Sequence, residues 1–232
     1  MGLRDYRLSE KQLKKWGNHM KKHLLPIGLL TISVMAWLIF YPSLPDQVPI
    51  HWSSGEGADG YQSKGMAFIT LHAFMIGIYL LLTVVPKIDP KKKNYQYFSK
   101  AYSITILSTM VLFFLINMFI LLISLGYDIP MESIGGPLVG LLFLIMGNYM
   151  QQAKQNFFFG IRTPWTLMDE TIWRKTHRLG GKLFMVGGII MMLTLFLPAS
   201  YEIFIILSVV VLVAVVPTGY SYILFRKLDS QS

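Results

Sequence analysis

Side chains that could do chemistry fall in two short stretches. The first holds Asp46, Pro49, His51, Trp52, Glu56, Asp59 and Tyr61. The second holds Asn156, Gly160, Arg162, Thr163, Pro164, Trp165 and Thr166, followed by Trp173, Arg174, Thr176, His177 and Arg178. His51, Glu56 and Asp59 carry metal-ligand atoms, but one His with carboxylates at these spacings matches neither a zinc nor an EF-hand pattern. A structural cap or ligand-facing surface is the expectation for that stretch. The second stretch offers Trp and Arg, residue types that anchor protein interfaces. On a helix, Trp173 and His177 share one face and Arg174 and Arg178 the neighbouring one. Packing on a membrane surface is the open alternative there.

Catalytic sets are not written in this chain. It contains no Gly-x-Ser-x-Gly, no His-Glu-x-x-His and no phosphate-cradling glycine loop. With no cysteine, thiolate nucleophiles, iron–sulfur clusters and Cys-rich zinc sites are excluded. The expectation is a protein that is not an enzyme and needs no cofactor or metal. His72 is the one residue of its kind inside an apolar run, and an intramembrane titratable group is a functional hypothesis by default. Without an acidic partner in any run, a hydrogen-bonded packing role with Asn117 or Asn148 is favoured over a proton relay.

The elements that must position these residues follow from composition. The 232 residues are 53% hydrophobic and 14% charged, with a net charge of +9 and a mean hydropathy of +0.50. Ordinary globular domains carry about 25% charged residues, so this chain lacks the polar layer that water demands. Apolar runs of membrane-crossing length occupy 24–41, 66–85, 101–126, 134–150, 183–199 and 203–225. Backbone groups in lipid must be satisfied internally, which makes each run a helix. The fold expected is an all-α integral membrane protein with six transmembrane helices.

Lys and Arg fix the orientation. All of them except Lys64 fall before the first run, after the last, or in the second and fourth connections. Both termini are therefore expected in the cytoplasm. The acids divide evenly between the two sides, so the excess positive charge reports topology and attraction to anionic lipid, and no direct nucleic-acid binding is expected. Residues 1–23 read as a basic amphipathic helix in the interface, with Tyr6, Leu13, Trp16 and Met20 on one face. Three prolines between Pro42 and Pro49 forbid helix and hold the start of the outer segment, 41–65, extended. Its glycines then turn the chain back as a compact cap. In the inner segment, Thr166 with Asp169 suggests the start of a short helix and Gly180-Gly181 its stop. Gly136, Gly140 and Gly147, with Gly187 and Gly188, give small-residue faces for close helix packing. Pro217 is expected to kink the sixth run.

The two stretches resemble known modules. Leu44-Pro45-Asp46 through Pro49-Ile50-His51-Trp52 to Asp59-Gly60-Tyr61 and Lys64 resembles the DUF1648-like domain that opens SdpI-type proteins. Asn156 through Gly160-Ile161-Arg162-Thr163-Pro164-Trp165-Thr166-Leu167 to Trp173, Thr176-His177 and Gly180-Gly181 resembles the signature of the SdpI family. The modules divide the chain into the N-terminal helix 1–23, a DUF1648-like helical hairpin over 24–100, and an SdpI-like four-helix region over 101–232 with a cytoplasmic loop at 151–182. The resemblance implies a multi-pass protein of the bacterial plasma membrane. It implies immunity to a secreted sporulation-delaying peptide toxin, and reception of that toxin as a signal that holds a small helix-turn-helix repressor at the membrane. On the expected topology the outer cap meets the toxin and the inner Arg/Trp loop docks the repressor. A small transporter or permease is the alternative.

Overall fold

A computed structural model describes residues 10–53 and 57–230, with side chains from His23 on except at Asp229. Seven α-helices, four short 3-10 helices and one β-hairpin make up the regular structure of the described residues. The helices are α1 (Glu10–Phe40), α2 (Lys64–Ile88), α3 (Ser99–Ser124), α4 (Met131–Met150), the short α5 (Pro164–Met168), α6 (Glu170–Leu193) and α7 (Glu202–Asp229). Six of the helical stretches are long and apolar enough to cross a membrane, and the chain is an all-α multi-pass membrane protein. Their outward faces carry large apolar side chains such as Leu24, Ile39, Phe74, Phe204 and Val215, as a lipid-facing surface requires.

Two boundaries differ from the sequence reading. The described part of the basic N-terminal segment, from Glu10, is helical and runs without a break through Pro26 into the first span, so it is not a separate element. The amphipathic face assigned to 1–23 lies outside the described side chains. At the other difference, α6 runs straight through Gly180-Gly181, which therefore do not stop a helix. Both glycines are buried, and they serve close packing instead. A Cβ on Gly181 would lie 2.6 Å from the Gly147 carbonyl, and one on Gly140 would lie 2.6 Å from the Gly188 carbonyl. α4 and α6 thus touch backbone to backbone, as small residues allow where lipid supplies no hydrophobic driving force.

The segment between α1 and α2 is a two-stranded antiparallel hairpin, β1 (Gln47–Trp52) with β2 (Ala58–Ser63), paired from Gln47–Ser63 to Trp52–Ala58. Side chains alternate across a strand, so Val48, Ile50 and Trp52 share a face. They pack with Leu44 on Trp37, Ile120 and Leu121 of α1 and α3. Lys64 closes the base: its N–H donates to the Asp46 carbonyl at 3.0 Å, and its Nζ to the Leu44 carbonyl at 3.3 Å. A second cluster at the opposite end gathers Tyr95, Phe98, Tyr102, Phe159 and Trp173.

Candidate functional site

At the end opposite the hairpin, residues 151–163 form an ordered loop built by buried polar groups. Asn156 is fully buried. Its Oδ1 accepts from the Phe158 and Phe159 N–H groups at 3.0 and 2.6 Å, and its amide donates to the Lys154 and Phe159 carbonyls. The adjacent Gln155 donates to the Thr166 and Leu167 carbonyls and accepts from Lys91 Nζ. The buried Asp89 accepts from the Lys91 N–H at 2.6 Å, the Phe157 N–H at 2.9 Å and the Tyr95 hydroxyl at 3.1 Å. Such satisfaction is what a buried carboxylate requires, and it ties the α2–α3 connection to the loop.

His177 holds the far side of that loop. Its ring stacks on Trp173 with centroids 3.9 Å apart. The Ile161 N–H donates to Nε2 at 3.0 Å, so Nδ1 carries the proton and donates to the Trp173 carbonyl at 2.9 Å, a tautomer assigned by these bonds. Gly160 adopts φ +98° against the imidazole, a conformation and a space that only glycine offers. Trp173 in turn donates from Nε1 to the Ala153 carbonyl at 2.8 Å.

Helix starts differ from expectation by a few residues. Thr163, not Thr166, caps α5, in a reciprocal pair with Thr166 and with Pro164 in the first turn. Asp169 then caps α6 by accepting from the Ile172 N–H. Thr163 also meets Ser221 of α7 at 3.0 Å, and Trp165 packs on Tyr222 with centroids 5.0 Å apart.

Of the expected docking residues, Gly160 and Trp165 are half-buried, and the rest fall into a buried and an exposed group, the neighbouring Arg174 and Arg178 joining the exposed one. Asn156, Thr163, Thr166, Trp173, Thr176 and His177 are buried, out of reach of anything that lands on the surface; they build the loop. Arg162, Pro164, Arg174 and Arg178 are exposed. Arg162 donates to the Phe157 carbonyl at 3.0 Å.

At the hairpin end, Asp46, His51, Asp59 and Tyr61 are exposed and Trp52 is half-buried. Pro49 is buried, which removes it from the ligand-facing set. Asp59 accepts from His51 at 2.6 Å and from Ser53. The Ser53 and then the His51 hydrogen bonds hold its carboxyl below the usual range. Beside the hairpin, a cavity of about 320 Å³ opens among Trp52, Glu132, Gly135, Gly136 and Glu202.

The intramembrane polar residues have other partners than expected. His72 Nε2 meets Ser33 at 3.0 Å and Nδ1 meets the Phe68 carbonyl at 2.8 Å. Asn117 bonds within its own helix, to the Phe113 carbonyl, and Asn148 is exposed. Asp89, Gln155 and Glu202 were legible only as acids or amides beside apolar runs, a signal that does not separate buried ties from solvated loop residues.

Comparison with known proteins matches both ends of this structure. Residues 28–76, the second half of α1 through the hairpin into α2, match the Domain of unknown function (DUF1648). Residues 152–221, the ordered loop through most of α7, match the SdpI/YfhL protein family. No solved structure matches the chain. Immunity protein SdpI of Bacillus subtilis (strain 168) is 34% identical over 210 residues, covering 90% of this chain and 99% of that protein. With the hairpin, the glycine-packed helices and the buried loop all inside that alignment, the chain belongs to the SdpI family.

Proposed function

We propose that this chain is an immunity protein of the bacterial plasma membrane that protects its cell from a secreted peptide toxin. The observation that carries this reading is the 34% identity to Immunity protein SdpI along 90% of this chain. The similarity spans both the hairpin and the ordered loop, so it extends beyond a shared membrane-spanning pattern.

The two ends have different roles in this reading. The hairpin end faces outward, because every cation but Lys64 lies on the other side, and it meets the toxin. The loop end faces the cytoplasm and presents Arg162, Arg174 and Arg178 on a framework fixed by Asn156, Asp89 and His177. A small helix-turn-helix repressor docks there when toxin is bound.

Expression in a toxin-sensitive Bacillus strain tests the reading. Cells carrying the chain are expected to survive a dose that kills empty-vector controls, and equal killing overturns the immunity reading. Arg174→Glu with Arg178→Glu tests the signalling part. Both side chains are exposed, so stability is expected to stay within about 0.5 kcal/mol. Protection is expected to persist while the repressor no longer sediments with membranes; unchanged sedimentation removes the docking assignment.

A further inference from the structure

Glu202 is buried to 7% exposure beside the hairpin-end cavity, and its two carboxylate oxygens differ. Oε1 accepts from the Gly136 N–H at 2.6 Å. Oε2 has no hydrogen-bond partner among the described residues. A carboxyl oxygen withdrawn from water without a partner is costly, so a retained one marks a place for a donor. Glu202 also opens α7, where the helix dipole favours negative charge.

The walls around this carboxylate are mostly apolar, with His51 and Ser53 of the hairpin at the side. Trp52 of the hairpin, Ile116 and Ile120 of α3, Val139 of α4 and Ile206 of α7 line the cavity, and Glu132 adds a second carboxylate. The surrounding face is acidic: Asp46, Asp59, Asp128, Glu132 and Glu202 lie at this end, against one cation. That cation, Lys64, is already engaged with Asp46 at 3.5 Å and the Leu44 carbonyl. Cations are therefore drawn to this end and apolar groups are accommodated in it.

We propose that the cavity takes an ammonium group carried on an apolar peptide, a lysine side chain or a free amino terminus, with the Glu202 carboxyl group as its hydrogen-bond acceptor. This rests on the immunity reading for the nature of the ligand, and it names the recognition chemistry of the outer site. Gly135 and Gly136 line the cavity beside the carboxyl group. A Cβ on Gly136 would lie 2.7 Å from Glu202 Oε1, whereas one on Gly135 would lie at 3.7 Å.

The test uses the full chain in phosphatidylcholine nanodiscs, with empty nanodiscs as reference. The probe is acetyl-Leu-Lys-Leu-amide, compared with the same peptide bearing norleucine in place of lysine. Wild type is expected to bind the lysine peptide about tenfold or more tightly than its partner, as a desolvated charge pair implies. Glu202→Gln keeps the shape and the Gly136 acceptor, and it is expected to abolish that preference. Gly135→Leu fills the cavity from a helix position that tolerates a side chain, and it is expected to weaken both peptides while the protein still elutes as a folded species. Equal affinity of wild type for the two peptides, no binding of the lysine peptide, or a lysine preference that survives Glu202→Gln overturns the proposal. Cell survival is scored separately. Protection without lysine preference leaves the immunity reading standing and removes the cavity's role, and lysine preference without protection does the reverse.

Discussion

Glu202 Oε1 accepts a hydrogen bond from the backbone N–H of Gly136 at 2.6 Å, joining the start of α7 to the first turns of α4. Position 136 has room for this only as glycine. Gly136→Ala is expected to cost about 1–3 kcal/mol through overpacking, because its Cβ would meet both Oε1 and Cδ, the latter at 2.9 Å. Gly135→Ala, whose Cβ has ordinary clearance, is expected to be neutral or stabilising. Thermal unfolding of the two variants in the same detergent distinguishes them.

Asp89 uses both oxygens at once. Asp89→Asn turns one acceptor into a donor, which then faces either the Lys91 N–H or the Phe157 N–H. The expected loss is about 1–3 kcal/mol, the cost of an unsatisfied buried donor. Since that bond ties the ordered loop to the α2–α3 connection, trypsin cleavage after the exposed Lys154 and Arg162 is expected to accelerate. An unchanged digestion rate would show that the loop stands without it.

Gly160 and Gly126 both have positive φ, +98° and +94°. An alanine at either pays the left-handed backbone cost of about 1–2 kcal/mol. At Gly126 nothing lies within 4 Å of the added Cβ, while at Gly160 it would lie 2.9 Å from His177 Cδ2. Gly160→Ala is therefore expected to lose a further 1–3 kcal/mol or so and to disturb the Trp173 stack. Unfolding curves of the two variants, with near-ultraviolet circular dichroism for the Trp, check this.

The hairpin carries an acid-sensitive tie. Asp59 is held below its ordinary carboxylate range by Ser53 and then His51. A carboxyl lowered in the folded state contributes stability fully above its unfolded value and loses it as pH falls through the folded value. The tie of Asp59 to Ser53 and His51 is therefore expected to hold through mildly acidic pH and to loosen only below the usual carboxylate range. Trp52 fluorescence followed down in pH reads the transition, and Asp59→Asn is expected to remove it.

The helices were legible because lipid imposes a length and a composition that nothing else in the chain imitates. The hairpin was not, although Val48, Ile50 and Trp52 alternate in the way a half-buried strand does. Three nearby prolines read as irregular extension, and β1 is short. Gly180-Gly181 misled for a different reason. A glycine pair ends helices in water, whereas between two membrane helices it is a contact surface, and only the position of Gly147 decides which. At the loop, the signature residues are legible, but spacing does not tell that Asn156, Thr163, Thr166, Trp173, Thr176 and His177 are buried while Arg162 and Pro164 are exposed. Trp173 and His177 share a face as expected, and that face points inward. Asp89 and Gln155 escaped notice because tertiary contact, not spacing, gives them partners.

The glycine contacts along α4 and α6 have a mechanical meaning. Side chains between helices act as a compliant layer that can re-pack; where Gly140 meets Gly188 and Gly147 meets Gly181, that layer is missing. The two helices form a single bar about 30 Å long, from the 20 residues of α4 at 1.5 Å each. One tip holds Gly136 at the carboxylate of Glu202, and the other bears on Gln151, whose side chain lies against Gly181. At those two crossings α4 and α6 meet through backbone, so a shift of one helix there moves the other's main chain directly.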